Sequence, residues 1–160
     1  MRIALAQINS SLAGFESNKD KILEYINRAK EKKAELVIFP EASLFGYHPF
    51  DLLERESLVD QQNSVLKQLL KKIPAEIYVL IGGFEKNKNK KGKPYFNAAF
   101  LCQKNKIVQV FHKELFAFYR KSIFFNAALF NKSRFVKNIT CRQKLFIINS
   151  GLFAFFQNNG

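Results

Sequence analysis

A chain of 160 residues, 48% of them apolar and 24% charged, has the length and composition of one globular domain with a real core. That composition argues against disorder, and no apolar run reaches the roughly 20 residues of a membrane-spanning helix. The formal charge of +13 suits a phosphate-bearing partner, but the excess is uneven. Residues 1–114 hold 19 Lys and Arg against 13 Asp and Glu, whereas residues 115–160 hold 7 basic residues, no acid and 10 of the 18 phenylalanines.

In chain order, "RIALAQI" (2–8) reads as a buried strand; Gln7 and Asn9 interrupt the apolar run and no cleavage site follows, so it is not read as a signal peptide. "FESNKDKILEYINRAKEKKAE" predicts a helix, with Ser17 and Asp20 in capping-box spacing and Ile22, Ile26 and Ala29 forming one apolar face. "LVIF" (36–39) is a second buried strand, stopped by Pro40, which has no N–H for a ladder. Residues 57–73 predict a second amphipathic helix ending before Pro74, and "IYVLIGGF" (77–84) a third buried strand. "YFNAAFLCQ" and "KIVQVFHKE" are strands around a turn at Lys104–Asn105. The order strand, helix, strand, helix, strand, strand pair predicts an α/β fold with a mixed sheet. The lysine-rich segment 85–94 reads as a solvated loop, since it brings neither the aromatics nor the helix N-terminus of a phosphate site. Two cysteines, Cys102 and Cys141, make neither a disulfide framework nor a metal cluster, and predict a reducing, cytoplasmic setting.

Two charged residues stand just past buried strands. Glu41 follows "LVIFP", where a carboxylate is costly to bury unless it is paired, and where it can serve as a general base. Lys113 ends "KIVQVFHK", and a lysine beside a reacting carbonyl stabilises the oxyanion that develops there. With a cysteine nucleophile between them these two would form an amide-cleaving site; on position alone the commoner reading of each is a solvated strand end.

The opening "MRIALAQINSSLAGFESNKDKILEYINRAKEKKAELVIFPEASLFGY" resembles the nitrilase, or carbon–nitrogen hydrolase, superfamily. "GYHPFDLL" (46–53), and "YFNAAFLCQKNKIVQVFHKEL" with Tyr119 six residues after Lys113, resemble the N-terminal glutaminase domain found in glutamine-dependent NAD synthetases. The resemblance covers residues 1–119 and implies part of a four-layer α-β-β-α sandwich that hydrolyses the amide of glutamine. Glu41 would be the general base, Lys113 the oxyanion partner, and Tyr119 a residue of the glutamine pocket. It implies no cofactor or metal for this segment; ATP and deamido-NAD would bind a separate synthetase domain. It also implies a homo-oligomer in the intact family, and neither a membrane nor a nucleic-acid partner.

The pattern then breaks. Cys141, in "KNITCRQKL", precedes an apolar run instead of following one, and aligning "QKLFIINS" with the expected strand puts Ser150 at the nucleophile's place. Cys102 lies inside a strand and reads as a small core residue. Residues 120–160 therefore read as a divergent, basic, Phe-rich tail of the kind an AT-rich coding sequence yields out of frame. The expectation is a truncated, inactive glutaminase fragment. Two alternatives stand beside it, a small stand-alone amidase of the same superfamily and a non-catalytic basic binding protein whose affinity falls steeply with salt.

Overall fold

In the computed structural model, residues 1–89 and 92–113 are described. The expected boundary between residues 119 and 120 lies outside them. The chain runs β1 (Ile3–Leu5), α1 (Phe15–Glu31), β2 (Leu36–Ile38), a 3₁₀ turn (Phe50–Glu54), α2 (Glu56–Leu70), β3 (Tyr78–Lys86), β4 (Tyr95–Gln103) and β5 (Lys106–His112).

The strands form one sheet in sequence order, β1-β2-β3-β4-β5. β1, β2 and β3 are parallel, and β3, β4 and β5 are antiparallel, so the sheet is mixed as the element order predicts. Parallel crossovers advancing in one direction, with the right hand such connections take, put both connecting helices on the same face. α1 and α2 pack there on Val37, Val79, Ile81, Ala98, Phe100 and Cys102. Because side chains alternate along a strand, the opposite face carries the other set: Leu36, Leu80, Ala99 and Leu101, with Ile3, Ile38, Tyr78 and Phe111 against them. The described residues thus supply a helix layer and a sheet layer, the first two of the four expected. No described helix is long and apolar enough to cross a membrane.

Several boundaries differ from the sequence reading for local reasons. α1 begins at Phe15 with Gly14 at the N-cap, and the Ser17 hydroxyl donates to the Gly14 carbonyl at 2.9 Å, so Ser17 is inside the first turn and the expected capping box does not form. Phe15 instead enters the core, edge-on to Phe45, which is edge-on in turn to Phe84, with both centroid separations 5.3 Å. That aromatic row holds the first turn at Phe15, where the helical stretch begins in the sequence, with Gly14 in place of Ser17 as the cap. β3 continues through Lys86 because Glu85 and Lys86 pair with Phe96 and Tyr95. Lys86 also meets Glu56 in an ion pair, so part of the lysine-rich segment is engaged within the fold.

β2 stops at Ile38, opposite Leu80, while β3 runs six residues further, and this would strand the β3 main chain at Gly82 and Phe84 without a neighbour. Side chains and a loop take the missing strand's place. The Ser43 hydroxyl bonds the Gly82 N–H and carbonyl at 3.2 and 3.4 Å, and the Leu44 N–H donates to the same carbonyl at 3.1 Å. The fully buried Gln62 of α2 donates to the Phe84 carbonyl at 2.8 Å and accepts from its N–H at 2.9 Å.

Candidate active site

The gap left by the short β2 is where Glu41 stands. Residues 40–46 cross it as a tight turn, with Ser43 N–H donating to the Pro40 carbonyl at 3.2 Å and Gly46 N–H to the Ala42 carbonyl at 2.7 Å. The turn is anchored from below and from the side. Ser10 donates to the Ser43 carbonyl at 2.7 Å, and buried Asn18 donates to the carbonyls of Ser11 and Leu44 at 2.8 and 3.1 Å while accepting from the Ser11 N–H at 2.8 Å. Gly82 makes the close approach possible. A Cβ there would lie 2.5 Å from both Ala42 N and the Pro40 carbonyl oxygen, and 2.9 Å from the Glu41 carbonyl carbon. Gly46, at φ +96°, lies against the Ser11–Leu12 main chain, where any Cβ would come within 2.5 Å.

Glu41 meets Lys113, the two residues that the resemblance assigns to one site. Lys113 Nζ donates to Glu41 Oε1 at 3.0 Å, with the two side chains 22% and 20% exposed, a desolvated pair at the rim of the sheet. The β4–β5 register explains how the lysine arrives. Ala98 pairs with His112, so Lys113 falls opposite Asn97, and its N–H donates to the Asn97 carbonyl at 2.9 Å. Both side chains then lie on the face away from the helices, level with the carboxyl end of β2, which is where parallel sheets present functional groups. The Asn97 amide Nδ2 also donates to Glu41 Oε1. Gln7, two residues past the end of β1 and on the Ile3–Leu5 face by alternation, carries a buried Oε1 with no partner among the described residues.

Cys102 is excluded from this constellation. It is fully buried, on the helix side of β4, and its Sγ lies 3.5 Å from the Phe100 carbonyl. Burial pushes its thiol up to about 12, so the thiolate that attacks a carbonyl is suppressed at neutral pH. In a Cys141→Ala chain, Cys102 is expected to resist iodoacetamide at pH 8 until denaturant is added; rapid native alkylation, read by mass spectrometry, would contradict its placement. Tyr119, Cys141 and Ser150 lie outside the described residues.

Asn97, Gln62 and Asn18 are functional or supporting residues that the sequence reading missed, although a signal for each exists. Gln62 interrupts the stripe Val59, Leu66, Leu69, and Asn18 the stripe Phe15, Ile22, Ile26, so each is a polar residue at a core position. Asn97 alternates with Ala99 and Leu101 on one strand face in the same way.

Comparison with known proteins agrees with this geometry. The carbon-nitrogen hydrolase family pattern matches residues 2–152. A glutamine-dependent NAD(+) synthetase of Synechocystis sp. is 35% identical over 120 residues, covering 73% of this chain and 22% of its own length. The solved glutamine-dependent NAD+ synthetase of Acinetobacter baumannii superposes with a TM-score of 0.65 at 28% identity, over 74% of this chain and 22% of that one. An amidase from Nesterenkonia sp. superposes with a TM-score of 0.56 over 71% of this chain and 42% of its own; at 24% identity that likeness speaks for the fold alone. The chain spans about a fifth of the length of the synthetases it matches. With the mixed sheet, the Glu41–Lys113 pair and a pattern running through most of its residues, the chain belongs to the carbon-nitrogen hydrolase family.

Proposed function

We propose that this chain is glutaminase-domain sequence of a glutamine-dependent NAD synthetase, contributing the proton-transfer half of an amide-hydrolysing site. The observation that carries the reading is the convergence of Glu41 and Lys113, 72 residues apart in sequence, at 3.0 Å on the rim of the sheet. In amide hydrolysis the nucleophile's proton passes to a carboxylate as the new bond to carbon forms, and returns to the nitrogen as the C–N bond breaks. Glu41 is placed to carry that proton. The Lys113 ammonium faces the same space and neutralises the oxyanion of the tetrahedral intermediate. By the family resemblance Tyr119 would help line the glutamine pocket, and Cys141 and Ser150 are the sequence candidates for the attacking atom.

Glutamine is then the substrate and ammonia the product. The site itself uses no cofactor, whereas ATP and deamido-NAD serve a synthetase domain that consumes the ammonia. The same reading carries a cytoplasmic setting and a homo-oligomeric enzyme. Because neither Cys141 nor Ser150 reproduces the expected strand–cysteine junction, the isolated chain should release no ammonia from glutamine above background. The test is a graft in which residues 1–113 replace the matching residues of a full-length synthetase of the kind matched above. The expected result is NAD formation supported by glutamine as well as by ammonia. A graft that uses ammonia but cannot use glutamine would overturn the reading.

A further inference from the structure

Resting on that amidase reading, we propose that Asn97 is a positioning residue that fixes the Glu41 carboxylate, committing Oε1 to two donors and leaving Oε2 as the oxygen that takes the proton. Oε1 accepts both the Asn97 amide and the Lys113 ammonium, the latter at 3.0 Å. Oε2 has no hydrogen-bond partner among the described residues. A carboxylate has lone pairs on both oxygens, so two donors on one of them settle which oxygen remains to take a proton.

Asn97 is suited to this because it is tied to both charged residues at once. Its side chain holds Glu41, and its main-chain carbonyl accepts the Lys113 N–H at 2.9 Å, directly across the β4–β5 ladder. The Glu41 main chain is already pinned through Gly82 and the 40–46 turn. That leaves the side-chain torsions of Glu41 as the remaining freedom. A lysine alone holds a carboxylate as a mobile point charge, since its ammonium sits on a flexible stem with three rotatable donors. A short amide on a central strand has only two torsions and supplies direction. The geometry thus divides the labour: Lys113 supplies charge, and Asn97 supplies the angle at which the carboxylate stands. Asn97 acts through Glu41.

The test uses the full 160-residue chain and does not depend on turnover. In proton–nitrogen and proton–carbon NMR spectra, one Asn97 Nδ2 proton is expected downfield of exposed asparagine amides, and the two Glu41 γ-methylene protons are expected at distinct shifts, as for a side chain held in one rotamer. Glu41→Gln should return the Asn97 proton upfield. Asn97→Leu should merge the Glu41 γ-protons towards one averaged shift, while Lys113→Met should leave both signatures in place. Asn97→Ser, whose hydroxyl is too short to reach Glu41, repeats the Asn97→Leu measurement if the leucine variant fails to fold. An Asn97 proton indifferent to Glu41→Gln, or Glu41 γ-protons that stay resolved without Asn97, would overturn the proposal. Failure of the graft to use glutamine would remove the amidase reading and leave these signatures unchanged, so the two claims fail separately.

Discussion

Introducing Glu41→Gln into the grafted synthetase is expected to lower glutamine-supported NAD formation by roughly 10²–10⁴-fold, the usual contribution of a positioned general base. Ammonia-supported formation should remain within about twofold, because the synthetase chemistry does not use this carboxylate. The substitution keeps the shape of the side chain but replaces the charged carboxylate that Asn97 and Lys113 donate to with one neutral, weaker acceptor and removes the base. It therefore separates proton transfer from architecture. Lys113→Met in the same graft should also depress the glutamine reaction selectively, for a different reason: it removes the cation facing the oxyanion and leaves Glu41, only 20% exposed, without its counter-charge. Equal loss of the glutamine and ammonia reactions in either variant would show general misfolding and would count against the assigned roles.

Gln62→Leu is expected to cost about 2–6 kcal/mol of stability, since two buried backbone groups lose their partners at once and each carries a desolvation penalty of roughly 1–3 kcal/mol. The leucine is close in volume and sits on an apolar stripe, so a reading from hydrophobic pattern alone predicts the opposite, a gain. The Phe84 N–H and carbonyl decide the sign: both are satisfied by Gln62, at 2.9 and 2.8 Å, and neither has a strand neighbour on that side. Gln62→Glu is a useful companion, because a carboxylate can accept from the N–H but, when ionised, cannot donate to the carbonyl. A urea melt that places Gln62→Leu at or above the parent midpoint would refute the strand-substitute account of this residue.

The sheet and both helices were legible because their signals are local. Continuous apolar runs mark β2 and β3 as strands buried on both faces, and the spacing of Ile22, Ile26 and Ala29 marks the buried side of α1. Glu41 and Lys113 were legible as polar residues at the ends of such runs, and the resemblance gave them roles. What was not legible depends on partners distant in sequence. Nothing around Asn97 announces that a carboxylate 56 residues earlier will lie against its amide, because that contact follows from the β3–β4 register and from the premature end of β2. The helix cap failed similarly: Ser17 and Asp20 have capping-box spacing, but the burial of Phe15 against Phe45 outweighs one capping hydrogen bond.

The turn that carries Glu41 has a consequence for the order in which the domain takes shape. Its supports are Ser10, Asn18 and Gly82, and the β3 segment it rests on is held by Gln62; all of these precede residue 85. During synthesis the carboxylate's seat is therefore complete in sequence before the hairpin bearing Asn97 and Lys113 leaves the ribosome. The two donors follow together, on a single β-hairpin whose pairing with β3 delivers both of them to the same oxygen.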